Sequence, residues 1–299
     1  MIVLGGSEGA HVGFELSKLV GARYHDVEVK EFPDGELYVR IPVDLSGLDV
    51  VYVNSLAKRP NELLVEAVLT LETIADVGAR TIHAVLTYIP YARQDTRFNP
   101  GEAVSALVIA KHLKSLRIDR LYTFDLHLHR FRDPRHLFGD NFVNLTAVRD
   151  LVKYVSTSHK LRNCVIVGPD EESEQWAKVA SEELGGLPYT VMEKKRISAS
   201  EVVVEPRNPD IVTGRSAIVV DDIISTGGTI VETVRVLRNL GVREVYVAVT
   251  HAILAGRALS KLTQLELEDL VASDTVLSPI SKVRTAPIIA RSFLNPISP

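Results

Sequence analysis

Short apolar stretches alternate with segments of helical periodicity along the whole chain. Four β-rich runs precede the segment at 144–159 and four follow it, at 2–4, 50–53, 81–87, 120–124, 164–167, 189–192, 217–220 and 244–250. Between the runs, apolar residues recur at helical spacing, as in Leu64, Val68, Leu71 and Ala75, and again in Ile230, Val234 and Leu237. This alternation predicts an α/β fold with mainly parallel sheets and helices on both faces.

The two halves of the chain also resemble each other in sequence. The ten residues at 78–87 line up with those at 241–250, and each set follows a helical pattern that contains Val-Glu-x-Val. Such self-similarity indicates the duplication of one α/β unit. We therefore predict two duplicated domains, at residues 1–146 and 147–299.

Composition narrows the possible partners. The chain has 299 residues and 46% hydrophobic positions, which is enough to fill two cores. Its net charge of -4 gives no global attraction to nucleic acid or to an anionic membrane, so we expect neither as a partner and any anion site must be local. The single cysteine, Cys164, excludes an internal disulfide and a thiolate metal cluster. No basic leader or membrane-spanning apolar run is visible, which predicts a cytoplasmic protein.

The strongest chemical signal lies at 218–230, where an apolar run meets a polar loop that opens the second helical pattern. Backbone N–H groups at the start of a helix lack intrahelical partners and the helix dipole adds positive charge, so a phosphate is the natural occupant. Paired glycines let the backbone approach the phosphate, and hydroxyl groups add donors. The loop residues concerned are Ser225, Thr226, Gly227, Gly228 and Thr229.

Two adjacent carboxylates, Asp221 and Asp222, precede this loop. Because they would repel a phosphate, we expect them to face a vicinal diol or a cation. Acids and loop together predict a site for a sugar phosphate, and an ordinary strand-to-helix turn is the alternative. In the first half, the matching place is taken by Asn-Ser-Leu-Ala-Lys-Arg-Pro at 54–60, so only the second half is expected to hold the sugar phosphate.

The stretch at 218–230 closely resembles the phosphoribosyl-pyrophosphate loop of the type I phosphoribosyltransferase superfamily, whose members have several activities. Two further blocks resemble the ribose-phosphate pyrophosphokinase family in particular. They are Phe-Pro-Asp-Gly-Glu at 32–36, locally a turn before a strand, and Tyr-Ala-Arg-Gln-Asp at 91–95, a polar loop after a strand. The resemblance implies that ATP is bound by Phe32, Asp34, Gly35, Glu36, Arg93 and Gln94.

Candidate metal-associated residues follow two of the predicted strands. Asp125, His127 and His129 alternate, so on a strand they would share one face, where a His/Asp cluster can bind a divalent metal. The resemblance assigns a magnesium contact to His127 and makes Asp170, just past the strand at 164–167, the second metal-associated residue. Two extra acids follow at 171–172, where family members often have glycine.

Three consecutive cations occupy 194–196, a pattern that is typical of a solvated surface segment. In the resembling family the matching segment is a mobile loop whose first lysine and following arginine are catalytic. These positions fall on Lys194 and Arg196, and Arg196 is also expected to contact ribose 5-phosphate.

The resemblance covers essentially the whole chain, in a compact form with a short tail. It implies a type I phosphoribosyltransferase fold and an enzyme in which the anomeric hydroxyl of ribose 5-phosphate attacks the β-phosphorus of MgATP and AMP is released. It further implies a homo-oligomer in which the turn at 32–36 reaches ATP held by another chain.

Two alternatives remain. A salvage phosphoribosyltransferase would share the loop after Asp221 but has no reason to keep 32–36 and 91–95. A non-catalytic regulatory relative would keep the fold and lose a catalytic residue, whereas Lys194, Arg196, His127 and Asp170 are all present.

Overall fold

The computed structural model describes residues 1–128, 133–196 and 202–294. The described residues group into two compact units: one contains residues 1–145 and 284–294, and the other contains Thr146–Val283. Each unit is an α/β structure built on its own sheet. The domain ranges expected from the sequence stay a prediction, and the grouping in space differs from them in the placement of the last helix.

The first unit contains a six-stranded sheet in which every pairing is parallel, with the strand order β2-β1-β5-β6-β7-β8. Its strands are β1 (Ile2–Gly5), β2 (Arg23–Asp26), β5 (Asp49–Asn54), β6 (Thr81–Leu86), β7 (Arg120–Phe124) and β8 (Phe142–Leu145). A separate antiparallel hairpin consists of β3 (Glu28–Glu31) and β4 (Leu37–Arg40). The helices are α1 (Ala10–Val20), α2 (Pro60–Asp76), α3 (Ser105–Ser115), the short α4 (Arg135–Phe138) and the last helix, α9 (Ala286–Leu294), which packs on α1.

The second unit contains a seven-stranded sheet with the order β11-β10-β9-β12-β13-β14-β15. Only the pairing of β10 with β11 is antiparallel. The strands are β9 (Cys164–Gly168), β10 (Tyr189–Arg196), β11 (Val202–Pro206), β12 (Ser216–Ile224), β13 (Val245–Ala252), β14 (Asp269–Ser273) and β15 (Ser281–Val283). The helices are α5 (Val148–His159), α6 (Glu174–Glu183), α7 (Gly228–Asn239) and α8 (Ala258–Thr263), with a 3₁₀ turn at Pro209–Ile211.

All eight apolar runs singled out in the sequence form strands, so the predicted α/β class is confirmed. The predicted apolar face of α7 is buried, with Ile230, Val234 and Leu237 at its centre. In α2, however, the fully buried apolar residues are Leu63, Ala67, Leu71 and Ile74. Leu71 belongs to both sets, and the other three predicted positions lie one residue away from the buried ones. Two apolar stripes run side by side on this helix, and only the packing against the sheet decides which is deeper.

The duplication is visible in the strand register. The order β1-β5-β6-β7-β8 of the first sheet recurs as β9-β12-β13-β14-β15 in the second. Asn54 on β5 lies beside Leu86, and Asp221 on β12 lies beside Val249. Leu86 and Val249 hold the same place in the two matching decapeptides, so Asn54 occupies the position of Asp221.

The described parts of the chain contain no helix that combines the length and the apolar character needed to span a bilayer.

Candidate active site

The loop between β12 and α7 leaves the start of that helix open. Gly227 precedes α7 with φ of 76° and ψ of 4°, a left-handed conformation that a residue with a Cβ rarely adopts. No side chain caps the helix there. Since the first N–H groups of a helix have no intrahelical acceptor, those of α7 remain for a bound group.

Gly228 is not required by packing within the chain. A Cβ at this position would have the Thr226 hydroxyl oxygen as its nearest neighbour, at 4.0 Å. Thr226 and Thr229 are exposed and Ser225 is half-buried, so their hydroxyl groups add possible donors to this loop. A backbone hydrogen bond connects this loop to the segment after β13: the Ser225 carbonyl accepts from the Ala255 N–H at 2.9 Å. A loop with unfilled space over a helix start can hold a phosphate.

The acid pair lies inside β12 and not beyond it, because the strand continues to Ile224. The two acids are adjacent on this strand, and their carboxyl groups are close enough to influence each other. Asp222 is 1% exposed, and its N–H donates to Asp221 Oδ1 at 3.0 Å. Burial, and then the neighbouring Asp222 and Asp170, raise the pKa of Asp221 well above its usual range. A carboxyl group under this pressure favours a hydroxyl donor or a cation as its partner.

Asp170 is held by the turn that begins α6. The Ser173 N–H donates to Asp170 Oδ1 at 3.0 Å, and the Ser173 hydroxyl donates to the Asp170 carbonyl at 2.6 Å. Ser173 is fully buried, whereas Glu171 and Glu172 are exposed. The turn therefore fixes Asp170 at the carboxyl end of β9, near Asp221.

A pocket of about 310 Å³ brings three of the expected site residues together: Asp170, Lys194 and Thr229. Lys194 is exposed on β10, opposite Val204 of β11. Three further carboxylates line the same pocket, from Glu171, Glu172 and Glu232. With one amine against four carboxylates among the described lining residues, a polyphosphate is suited to this pocket only when a cation accompanies it.

Arg196 ends β10, and its side chain lies outside what the structure describes. Sequence reasoning missed Glu232 and Thr233, which also line the pocket. Glu232 belongs to the second Val-Glu-x-Val motif, a signal that indicated the duplication but not this location.

In the first unit, the turn at 32–36 joins β3 to β4 and is exposed throughout. The Phe32 N–H donates to the Glu36 carbonyl at 2.8 Å, and the Gly35 N–H donates to the Phe32 carbonyl at 2.9 Å. Gly35 has φ of 92°, which explains why glycine stands there. The Phe32 ring is 49% exposed and meets Tyr38 edge-on, with ring centroids 6.2 Å apart. The hairpin thus presents an aromatic ring beside the carboxylates of Asp34 and Glu36.

The loop after β6 presents Arg93 to solvent and holds Gln94. The Gln94 carbonyl accepts from the Ala106 N–H at 3.2 Å, and its Oε1 lies 3.5 Å from the Ser105 hydroxyl. Within the described residues, Arg93 forms no ion pair with a carboxylate at 4.0 Å or less. The guanidinium is therefore available to an anionic ligand.

The shared strand face expected for Asp125, His127 and His129 is wrong for the first two. β7 ends at Phe124, and Asp125 has φ of 33°, so the regular alternation of a strand is broken there. The Asp125 N–H donates to the Leu145 carbonyl at 2.8 Å, which turns the chain along the edge of the sheet. His127 is half-buried beyond this turn, and His129 lies outside the described residues.

Among the described residues, no three His, Cys, Asp or Glu side chains are close enough to hold a metal ion by themselves. His127 and Asp170 lie in different units. Mg²⁺ commonly takes one or two protein ligands and completes its shell with water and substrate phosphates. Asp170, fixed in its loop, fits that mode of binding.

Comparisons with known proteins agree along the chain. A model of the N-terminal domain of ribose phosphate pyrophosphokinase matches residues 1–116, and a phosphoribosyl transferase domain model matches 140–274. The ribose-phosphate pyrophosphokinase of Methanopyrus kandleri is 41% identical over 99% of both chains. That of Pyrococcus furiosus is 37% identical over 97% of this chain and 99% of the relative. The crystal structure of phosphoribosylpyrophosphate synthetase from Mycobacterium smegmatis matches with a TM-score of 0.86 and 26% identity over 98% of each chain.

Proposed function

The chain belongs to the ribose-phosphate pyrophosphokinase family, and we propose which of its residues carry the reaction of that family. The enzyme transfers the pyrophosphoryl group of ATP to the anomeric hydroxyl of ribose 5-phosphate, which gives 5-phosphoribosyl 1-pyrophosphate and AMP for nucleotide biosynthesis. A salvage phosphoribosyltransferase is not favoured, since the N-terminal pyrophosphokinase domain is present.

The loop at 225–229 binds the 5-phosphate of the sugar. Support comes from the uncapped start of α7, the left-handed Gly227 and the empty space over Gly228. Asp221 and Asp222 take the ribose hydroxyls. A diol can donate hydrogen bonds to a carboxylate whose ionisation is disfavoured by neighbouring acids, and this relieves that repulsion.

ATP is held by residues of the first unit. Phe32 stacks on adenine, and Asp34 and Glu36 contact the polar edge of the base, which the exposed turn held by Gly35 supports. Arg93 pairs with phosphate oxygens and Gln94 adds an amide contact.

Mg²⁺ is associated with His127 and Asp170. If bound there, Mg²⁺ would neutralise negative charge on the phosphate groups. The carboxylate-rich pocket beside Asp170 supports this requirement, because polyphosphate alone would be repelled there. Asp170 keeps its orientation through two hydrogen bonds with Ser173.

Lys194 and Arg196 act on the transferring group. Both lie on β10, and Lys194 faces the pocket that also contains Asp170 and Thr229. A long, exposed amine can stabilise the negative charge that develops on the α,β-bridging oxygen as the bond to the β-phosphorus breaks and AMP leaves.

The protein is expected to be a cytoplasmic homo-oligomer in which the turn at 32–36 reaches ATP bound to a neighbouring chain. Exposure of that whole turn, including an aromatic ring, supports contact with a second copy.

The observation that carries the assignment of these residues is the pocket shared by Asp170, Lys194 and Thr229, beside a glycine whose Cβ space is empty. AMP formation from MgATP should be measured with and without ribose 5-phosphate. We expect AMP only when the sugar is present. A regulatory relative would form none, and a salvage enzyme would consume 5-phosphoribosyl 1-pyrophosphate only together with a base.

A further inference from the structure

A second polar pocket lies in the second unit, at the edge of the sheet where the parallel strands begin. It has a volume of about 740 Å³ and is lined by residues of three loops, at 159–163, 213–216 and 241–244. These loops lead into β9, β12 and β13, which are neighbours in the sheet. Because parallel strands all begin at one edge, the three loops converge there, at the end of the sheet opposite the candidate active site.

The pocket carries a surplus of positive charge. Four cationic side chains line it: Lys160, Arg162, Arg215 and Arg243. Glu244 is the one carboxylate among the lining residues that the structure describes. His159 is engaged elsewhere, since its Nε2 lies 3.0 Å from Asp269 Oδ2. In a chain with a net charge of -4, this local surplus does not follow from composition.

Ion pairing within the described parts of the chain does not neutralise these four cations. Within the described residues, none of them forms an ion pair with a carboxylate at 4.0 Å or less. Arg215 is partly buried nonetheless, and Lys160, Arg162 and Arg243 are exposed. Four cations that share one pocket with a single carboxylate favour an external anion.

The arginine of the first unit that corresponds to Arg243 does have a carboxylate partner. Arg80, which matches Arg243 in the decapeptide alignment, donates through Nε to Asp49 Oδ1 at 2.8 Å and through a second nitrogen to Oδ2. The position of Asp49 at the strand start is taken by Ser216 in the second unit, and the Ser216 hydroxyl donates to Glu244. Because serine stands where the first unit has aspartate, Arg243 has no carboxylate at this position that could neutralise it.

We propose that this pocket binds a small multivalent phosphate anion of the pyrophosphate type. Each guanidinium can present two parallel N–H donors to phosphate oxygens, and arginines from three loops can meet a tetrahedral group from different sides. One carboxylate could accept such a pair of hydrogen bonds from only one guanidinium group. Gly214 and Gly241 have φ of 74° and 83°, and a Cβ on either would meet nothing within 4 Å, so the backbone leaves the pocket open to the anion.

The test is calorimetric titration of inorganic pyrophosphate into the full-length protein in buffer that contains EDTA and no divalent metal. The pocket variant is Arg215→Gln with Arg243→Gln. The matched control is Lys153→Gln with Lys178→Gln, two exposed cations on α5 and α6 of the same unit. We expect binding to weaken at least roughly tenfold in the pocket variant and to stay unchanged in the control. The titration is repeated with Lys194→Ala protein, in which the arginine-dependent binding should persist.

Equal weakening in the pocket variant and the control would reduce the effect to net charge and overturn the proposal. So would binding that survives the pocket variant but is lost in Lys194→Ala protein. If the double variant unfolds, Arg162→Gln, at an exposed loop position, replaces it. AMP formation by the pocket variant in the absence of added pyrophosphate should equal that of the unaltered protein, so failure here is separable from failure of the proposed catalytic assignment.

Discussion

At three matching positions, the first unit has one acid among neutral groups, whereas the second unit has three acids. In the first unit, Glu66 of the Val-Glu-x-Val motif is 2% exposed. Its Oε1 accepts hydrogen bonds from Asn54 Nδ2 and from the Ser7 N–H, both at 2.9 Å. Two glycines let the first loop close over this cluster, since a Cβ on Gly9 would lie 2.3 Å from the Val53 carbonyl oxygen and one on Gly6 2.5 Å from Asn54. The carboxyl edge of this sheet is filled by the chain itself.

In the second unit, three acids occupy the matching positions. Asp170 lies two positions after the glycine that ends β9, and Asp221 is in register with Asn54. The third acid is Glu232 of the second Val-Glu-x-Val motif. Glu232 is exposed, and with Asp170 it lines the open pocket. The same fold thus gives a sheet edge that is filled by the chain's own side chains in one unit and an open site in the other. The difference comes from whether the strand-end residues can satisfy each other or need an external partner.

The largest effect is expected on stability, when Asn54 of the first unit is replaced by aspartate, the residue that the second unit has at the matching position. Asn54 is fully buried and donates to both Tyr52 and Glu66. Asn54→Asp removes both donors and places a second carboxylate beside Glu66, so we expect a loss of about 3–5 kcal/mol in the free energy of unfolding at neutral pH. Urea denaturation measures the loss, which should shrink at low pH, where the carboxyls are protonated. A variant as stable as the parent at pH 7 would contradict the interpretation that hydrogen bonds between Asn54 and Glu66 stabilise this sheet edge.

Next in size is the loss of the amine that lines the open pocket. Lys194→Ala should lower kcat by roughly 10²–10³, because the amine is expected to stabilise charge that develops during transfer. The melting temperature should hardly change, since Lys194 is exposed.

Lys195→Ala is the matched control for that substitution. Lys195 is the next residue on β10, points to the opposite face and pairs with Glu205 at the surface. Its kcat should match that of the parent. If Lys194→Ala raised only KM, the amine would be a ground-state binder.

A pair of glycine substitutions separates packing from ligand space. Gly9→Ala should destabilise the fold by about 1–3 kcal/mol because its Cβ collides with backbone of β5. Gly228→Ala meets no such contact and should leave stability unchanged or slightly raised, while KM for ribose 5-phosphate rises by roughly tenfold, about 1.4 kcal/mol of binding. Thermal melts and initial rates measure both. An unchanged KM in Gly228→Ala would argue against phosphate binding at this loop.

The smallest effect concerns pH. Asp221 has a pKa raised in the folded state above its ordinary value of 3.8, so the folded protein binds the proton more tightly than the unfolded chain. The contribution of Asp221 to stability should therefore fall as pH rises from the ordinary value to the raised one, and should not change outside that window. Asp221→Asn should stabilise the protein at pH 8 and have little effect at pH 3. Melting curves at both values test the sign, and destabilisation by Asp221→Asn at pH 8 would refute it.

The parts of the molecule that depend on local pattern can be predicted from the amino-acid sequence. Apolar runs of strand length and the faces of α7 follow from side-chain periodicity, which does not depend on distant partners. The contrast between 54–60 and 221–229 already indicated which half has the open loop. In each case, neighbours in sequence carry the information.

Tertiary structure alone decided which distant groups meet. Asp170, Lys194 and Glu232 line one pocket because β9, β10 and α7 pack around a common edge, and no spacing in the sequence encodes that meeting. The break after Phe124 arises because the Asp125 N–H bonds to the Leu145 carbonyl, a partner 20 residues away. Likewise α9 follows the second unit in the chain but packs on α1 of the first, since burial is gained wherever an apolar face finds its complement.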